Sequence, residues 1–432
     1  MGVGCRSGLA TRALGACSKV RNSHGVAAGV AALSLIATAC GGQQAGNLGT
    51  VSVSEVKATG VQQEAARADA PVGEAAQSMQ QFGYDLMGAD DVSGNEVISP
   101  LSLSIALAML REGARGETAQ QIDDVLGFPA DGRADAYNAL LHDLASLRGK
   151  DLQIADQTFI QHGFTPESSY LDTLARSYGS GMQSIDFGSP GAADLINKWV
   201  ADRTDDRIKK LIDPNELDPT TVLMLVNAIN MDAKWTTPFD PIDTHRAAFS
   251  TPEGSAKVSM MHDRQMSVDY AHGDGWQAVR LPYQDGRLSM WVLLPRADGD
   301  PYALLSPHAL SSVAWLQRRV DVSLPKWDFQ TRLSPIDALK SLGMTDVFDA
   351  LKANLAGISP GIYVNLVNHV ANITVGEKGT KAAAATAIGV APVSLPPSSR
   401  LKFTVDHPFA FAIMDDSTGI PVFEGVVTDP SQ

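Results

Sequence analysis

Few residues of this chain stand at spacings that catalysis uses. Ser54-Glu55-Val56-Lys57 has the Ser-x-x-Lys spacing at which a lysine amine activates a serine hydroxyl, but no helical pattern surrounds it and no Lys-Thr-Gly follows. Asp186-Phe187-Gly188 repeats a kinase triplet without the glycine-rich and catalytic loops that accompany it. There is no Gly-x-Ser-x-Gly, His-Glu-x-x-His, P-loop or dinucleotide glycine fingerprint. The nine histidines never fall within five residues of one another, which removes the simple metal spacings, and neither metal nor cofactor is expected. His369, between Val367 and Val370, reads as a hydrogen-bonded core histidine rather than a ligand or base. Cys5, Cys17 and Cys40 are the only cysteines, so everything after residue 40 lacks a thiol for a disulfide, a zinc site or a nucleophile.

One segment has the character of a target of chemistry instead. Between about residues 376 and 397 small residues dominate, and Thr386, Gly389, Pro392 and the Pro396-Pro397 pair oppose a long helix. An exposed stretch of this kind is a natural substrate for proteolysis. Its alternate residues Thr380, Ala382, Ala384, Thr386, Ile388 and Val390 are small at first and apolar later. Such a row can join a sheet as an added strand with that face buried. Lys381 and Gly389 belong to the opposite, outward row.

The rest of the chain must hold that segment and deliver it. Arg6, Arg12, Lys19 and Arg21 precede an uncharged, mostly apolar run from Gly25 to Ala39, too short for a comfortable membrane span. Residues 1–39 read as a signal peptide. The run ends in Ala37-Thr38-Ala39-Cys40-Gly41-Gly42, which resembles the lipobox of bacterial lipoproteins, with Ala37 where leucine is preferred. Cleavage before Cys40 would put a lipid on its thiol and anchor an extracytoplasmic protein to the membrane. The alternative is an ordinary secretory cut near Ala39. Removing the leader takes the formal charge from -14 to -18, an acidic balance that argues against a nucleic-acid partner. Residues 40–73 are rich in Gly, Gln, Ala and Ser without a periodic apolar face, and are expected to form a flexible tether.

From residue 74 to 430 no linker or repeat appears, which favours one large domain. Ala75–Met87 has helical apolar spacing, Ser99-Pro100 opens a second helix, and Leu195–Ile212 reads as a third. Val222–Ile229, Leu288–Leu294, Phe409–Met414 and Val422–Val427 read as buried strands. Helices and strands without regular alternation indicate an α+β fold.

An ordered series of short stretches then resembles the serpin family of protease inhibitors. It includes residues 95–102, 113–118, 196–200 and 225–228, Lys234-Trp235, Pro238-Phe239, Leu281-Pro282-Tyr283, Leu324-Pro325-Lys326 and Leu342-Gly343-Met344. Residues 377–386 and His407-Pro408-Phe409 complete it, and the series covers residues 74–430. The resemblance implies three β-sheets, about nine helices and an exposed reactive-centre loop on a monomer that is not an enzyme. A serine protease attacks that loop, and the cut loop inserts into the large sheet before the acyl-enzyme hydrolyses, trapping a covalent complex. Glu377, Gly379, Thr380, Ala382, Ala384 and Thr386 match the hinge. Ser99, Asn227 and His369 match positions that control sheet opening, and Trp235 matches the one where insertion starts. Counted from Glu377, the reactive bond is Val393–Ser394. With Val390, Ala391 and Pro392 before it, Val393 suits the small apolar pocket of an elastase- or subtilisin-type enzyme. Gly376 and Lys381 depart from the family pattern, in which acids are usual. The alternative is a non-inhibitory serpin with a structural or carrier role, which bulky or charged residues on the inward row would signal; none is present.

Overall fold

The apolar run after Val222 becomes β5 (Leu223–Met231), buried along its whole length as a strand covered on both faces must be. The structure is a computed structural model that describes residues 52–89, 94–127, 131–145, 147, 151–380 and 401–432. β5 lies in the middle of an eight-stranded sheet. On one side come β3 (Leu152–Gln161), antiparallel to β5, then β4 (Met182–Ile185), parallel to β3, then β1 (Ser54–Val56), antiparallel to β4. On the other side β13 (Leu366–Gly376) runs parallel to β5 and carries β12 (Trp327–Leu333) on its far edge. After Asp232 the chain continues as β6 (Ala233–Lys234), and the two-residue β14 (Gly379–Thr380) is wedged between β6 and β13.

The second sheet has nine strands. Its order is β15 (Leu401–Thr404), β11 (Leu316–Pro325), β8 (Gly254–Gly273), β9 (Trp276–Pro282), β10 (Leu288–Pro295), β16 (Phe409–Asp415), β17 (Ile420–Val427) and β2 (Glu96–Ile98), with β7 (His245–Thr251) beside β8. Three sheets were expected. Among the described residues there are two, because the twenty-residue β8 pairs with β7 at one end and β9 at the other while β11 runs beside it.

Helices α1 (Val72–Ala89), α2 (Pro100–Gly113), α3 (Gly116–Leu126), α4 (Arg133–Leu144), α5 (Ser168–Tyr178) and α6 (Ala192–Arg203) precede the short α7 (Pro307–Ser311) and α8 (Ile336–Ser341). Eight stand among the described residues, against the nine or so expected. Ser99 caps α2 through its side chain and Pro100 sits in the first turn, where a missing N–H costs nothing. The helix expected through Ile212 stops at Arg203, since Asp205 and Asp206 take left-handed φ values of 49° and 58°. Asn197 then ties the returning chain by accepting from the Leu211 and Ile212 amides and donating to the Ile212 carbonyl.

Alternation along β5 and β13 separates two environments. Val226, Ala228 and Val370 face α6, where Ile196 and Val200 cover them. Leu225, Ile229, Ala371 and Ile373 face the main core. The expected tether is corrected here as well: from residue 52 the described chain is bound to the body, first as β1 and then along α4 and α5.

Candidate functional site

The large sheet is closed over most of its height and open at one end. From Leu366↔Met224 to Asn372↔Asn230, β13 and β5 pair directly. Above that level they part, and β14 fills the gap with Thr380 between Val375 and Ala233. Gly379 has φ 149°, and a Cβ there would collide with the Ala233 carbonyl oxygen, so only glycine lets the backbone enter this slot.

Wholly buried side chains hold the wedge. The Trp235 indole donates to the Gly376 carbonyl at 3.0 Å and stacks on the Tyr283 ring, with centroids 4.5 Å apart. The Tyr283 and Thr380 hydroxyls share a hydrogen bond of 2.6 Å. Burial pushes the Tyr283 phenol up, which keeps it neutral. Glu377, in the turn between β13 and β14, meets Lys326 at 2.9 Å and accepts from the Thr244 hydroxyl at 3.0 Å. Burial would raise its carboxyl, but Lys326, a backbone donor and Thr244 together hold it below the ordinary value.

The closed part carries a buried hydrogen-bond chain that reaches α2. The Ser99 backbone N–H donates to His369 Nε2 at 3.1 Å, which leaves the ring proton on Nδ1 to donate to Asn227 Oδ1. Asn227 Nδ2 in turn donates to Ser102 Oγ and Asp156 Oδ1, each at 2.6 Å, and the Ser102 hydroxyl donates to Asp156 at 2.7 Å. Burial lowers the His369 pKa to about 3. Asp156, Asn227 and His369 are direct neighbours across β3, β5 and β13, so the chain spans the seam where the sheet must part.

Ser99, Asn227 and His369 thus share one network, while Trp235, Glu377, Gly379 and Thr380 share another. Ala382, Ala384, Thr386, Val390, Ala391, Pro392, Val393, Ser394 and Cys40 lie outside the described residues. The row beginning at Thr380 was expected to be buried on joining a sheet, and its first member is already buried before any cut. Ser102, Asp156, Tyr283, Thr244 and Lys326 had no assigned role. Ser102, Tyr283 and Lys326 stand inside stretches that carried the resemblance, but their contacts cross at least 50 residues and have no local pattern.

The enzyme-like motifs dissolve in the fold. Ser54 sits in a strand, Lys57 pairs with Glu55, and Asp186 caps the turn at Gly188 and Ser189. No three His, Cys, Asp or Glu side chains converge as a metal site among the described residues.

Residues 77–430 match the family described as Serpin (serine protease inhibitor). An uncharacterized serpin-like protein of Thermococcus kodakarensis is 34% identical over 365 residues, 81% of this chain and 84% of that protein. Iris of Ixodes ricinus is 33% identical over 78% of this chain and 93% of its own length. Among solved structures, the thermophilic serpin tengpin in its native state superposes with TM-score 0.77 at 26% identity, covering 87% of this chain and 97% of tengpin. Serpin48 of the insect Tenebrio molitor gives TM-score 0.73 at 29% identity, covering 84% and 100%. A wedged sheet, a polar seam and these likenesses agree: the chain belongs to the serpin family, whose members generally act as stoichiometric inhibitors of serine proteases rather than as enzymes.

Proposed function

We propose that this protein is a suicide-substrate inhibitor of elastase- or subtilisin-like serine proteases, cut between Val393 and Ser394. The protease serine adds to the Val393 carbonyl, the Ser394 amine leaves with a proton, and an ester joins the two proteins. Continued strand addition from β14 between β5 and β13 then carries the ester-linked protease away before water completes the cycle.

The observation that carries this reading is the seat of Thr380. Its side chain occupies the core-facing row that also holds His369, Ala371 and Ile373. A strand growing from it puts Ala382, Ala384 and Thr386 on the same row, toward the face that α2 closes with Ser99 and Ser102. Small side chains are what such a tight face accepts. Lys381 falls on the opposite row, where its charge need not be buried.

Incubation with pancreatic elastase and with subtilisin should give complexes that survive SDS, and a released peptide beginning at Ser394. Val393→Arg should shift the preference toward trypsin. Cleavage without any complex would support the non-inhibitory alternative, and another peptide start would refute the register. We place the protein outside the cytoplasm with lipid on Cys40; if Cys40→Ala stays in the membrane fraction as fully as wild type, the anchor is wrong.

A further inference from the structure

We propose that residues 52–71 are a mounting strap, which fixes the body on its lipid anchor with the bait loop facing away from the bilayer and toward soluble proteases arriving from outside. The inference rests on the proposed lipidation of Cys40 and goes beyond it, because an anchor alone sets no orientation.

The strap is held by specific contacts. Ser54 to Val56 pair with Ser184 to Met182 on the edge of the large sheet. Further on, the Glu64 amide donates to the Arg176 carbonyl at 2.9 Å, and the Arg176 guanidinium meets the Glu64 carboxylate at 2.9 Å. The Glu64 carbonyl accepts from Asn138 at 3.1 Å and from the His142 ring at 2.7 Å, while Gln63 donates to Asn138 at 2.9 Å. Two helices and a strand therefore grip it.

Register gives the direction. Val56 pairs with Met182, Met182 with Thr158 and Thr158 with Leu225, whereas Thr380 pairs with Ala233. The strap thus joins the sheet about 26 Å from the slot where the loop leaves the body, at 3.3 Å per residue along β5 and β6. β1 runs antiparallel to β4, so the chain reaches Ser54 from the end of the sheet remote from that slot. Even fully extended, the residues from Cys40 to Val53 reach no more than about 45 Å, of which about 33 Å would be used in returning from Ser54 to the level of the slot, at 3.3 Å per residue from Leu223 to Ala233. If the first fixed point were Val72, the reach would be about 110 Å and either end could face the lipid.

The test is energy transfer from a fluorescent side chain at Thr220 (remote end) or Thr237 (loop end) to acceptor headgroups. Vesicles are of phosphatidylethanolamine and phosphatidylglycerol, and carry the full mature chain lipidated in the cell or coupled through Cys40 to a maleimide phospholipid. Transfer from Thr220 should exceed that from Thr237 several-fold, and Gln63→Ala with Glu64→Pro, which loosen only the strap, should shrink the difference. Equal transfer from the two positions overturns the mounting. Absence of lipid mass on Cys40 from cells, with unequal transfer in the coupled protein, overturns the natural anchor while leaving the strap's directing role standing.

Discussion

The two ends of the seam between β5 and β13 are built on opposite principles. At the wedge the sheet is already open, and what holds β14 is one hydroxyl pair, a stacked indole and an ion pair whose lysine is 40% exposed. At the seam the strands pair directly, and a chain of Ser99, His369, Asn227, Ser102 and Asp156 crosses them with no exposed member. In the first group the ion pair can be rehydrated by itself; in the second, breaking one bond leaves several buried groups disturbed at once. A sheet made this way is primed at one end and latched in the middle, which suits a native state protected by a barrier rather than by depth alone.

Filling the wedge wrongly should have the largest effect. In Thr380→Arg the new side chain must either lie unpaired in the core, at a cost of several kcal/mol, or push β14 out. Cleavage after Val393 should persist while the amount of protein needed per protease inactivated rises roughly tenfold or more, as a partition shift of about 1.4 kcal/mol already gives. Covalent complexes at wild-type yield would sink the insertion account.

The latch comes next. Asn227→Ala strands the His369 Nδ1 proton and removes a donor from Ser102 and Asp156, for about 2–4 kcal/mol. Thermal scans should show the native form lost several degrees lower, with the uncut loop inserting on mild heating. An unchanged midpoint would mean that the chain of hydrogen bonds does not hold the seam.

Acid separates the two regions. The His369 pKa is about 3 in the fold against an ordinary 6.5, so its contribution is complete above pH 6.5 and fades as pH falls toward 3. Glu377 is held below its ordinary value, so its contribution fades only at more acid pH, below about 4.5. Near pH 5 the latch should therefore weaken while the wedge is intact. His369→Asn, less stable at neutral pH, should flatten the profile between 6.5 and 3; an unchanged slope would assign it to other groups.

Lys326→Ala should cost at most about 1 kcal/mol, because its partner pair is partly solvated. Faster hydrogen exchange at Gly379 and Thr380, without change at Asn227, would show the wedge loosening alone. The smallest effect on inhibition is expected in the other sheet. Glu424 is wholly buried on β17 and burial raises its carboxyl well above the usual range. Glu424→Leu should stabilise cut and uncut protein equally and leave the yield of covalent complex unchanged; a changed yield would tie inhibition to overall stability instead of to the seam.

The sequence by itself determined the elements with strong one-dimensional signals. Continuous or periodic burial marks β5, β10, β16, β17, α1 and α2, because a buried face must recur every second or every third to fourth residue. It also marked Ser99, Asn227, Trp235, His369 and the small-residue row beginning at Thr380, through their resemblance to a family. Tertiary structure alone decided which of these meet. His369 joins Asn227 across 142 residues through the register of β13 on β5, and Tyr283 joins Thr380 across 97 from beyond the end of β9 in the other sheet; neither pair follows a local period. It likewise decided that residues 52–71 are a strap: their strand is three residues long, and their grip combines backbone and polar groups with a few scattered apolar side chains, Val53, Val56 and Ala58, which make no rhythm to read.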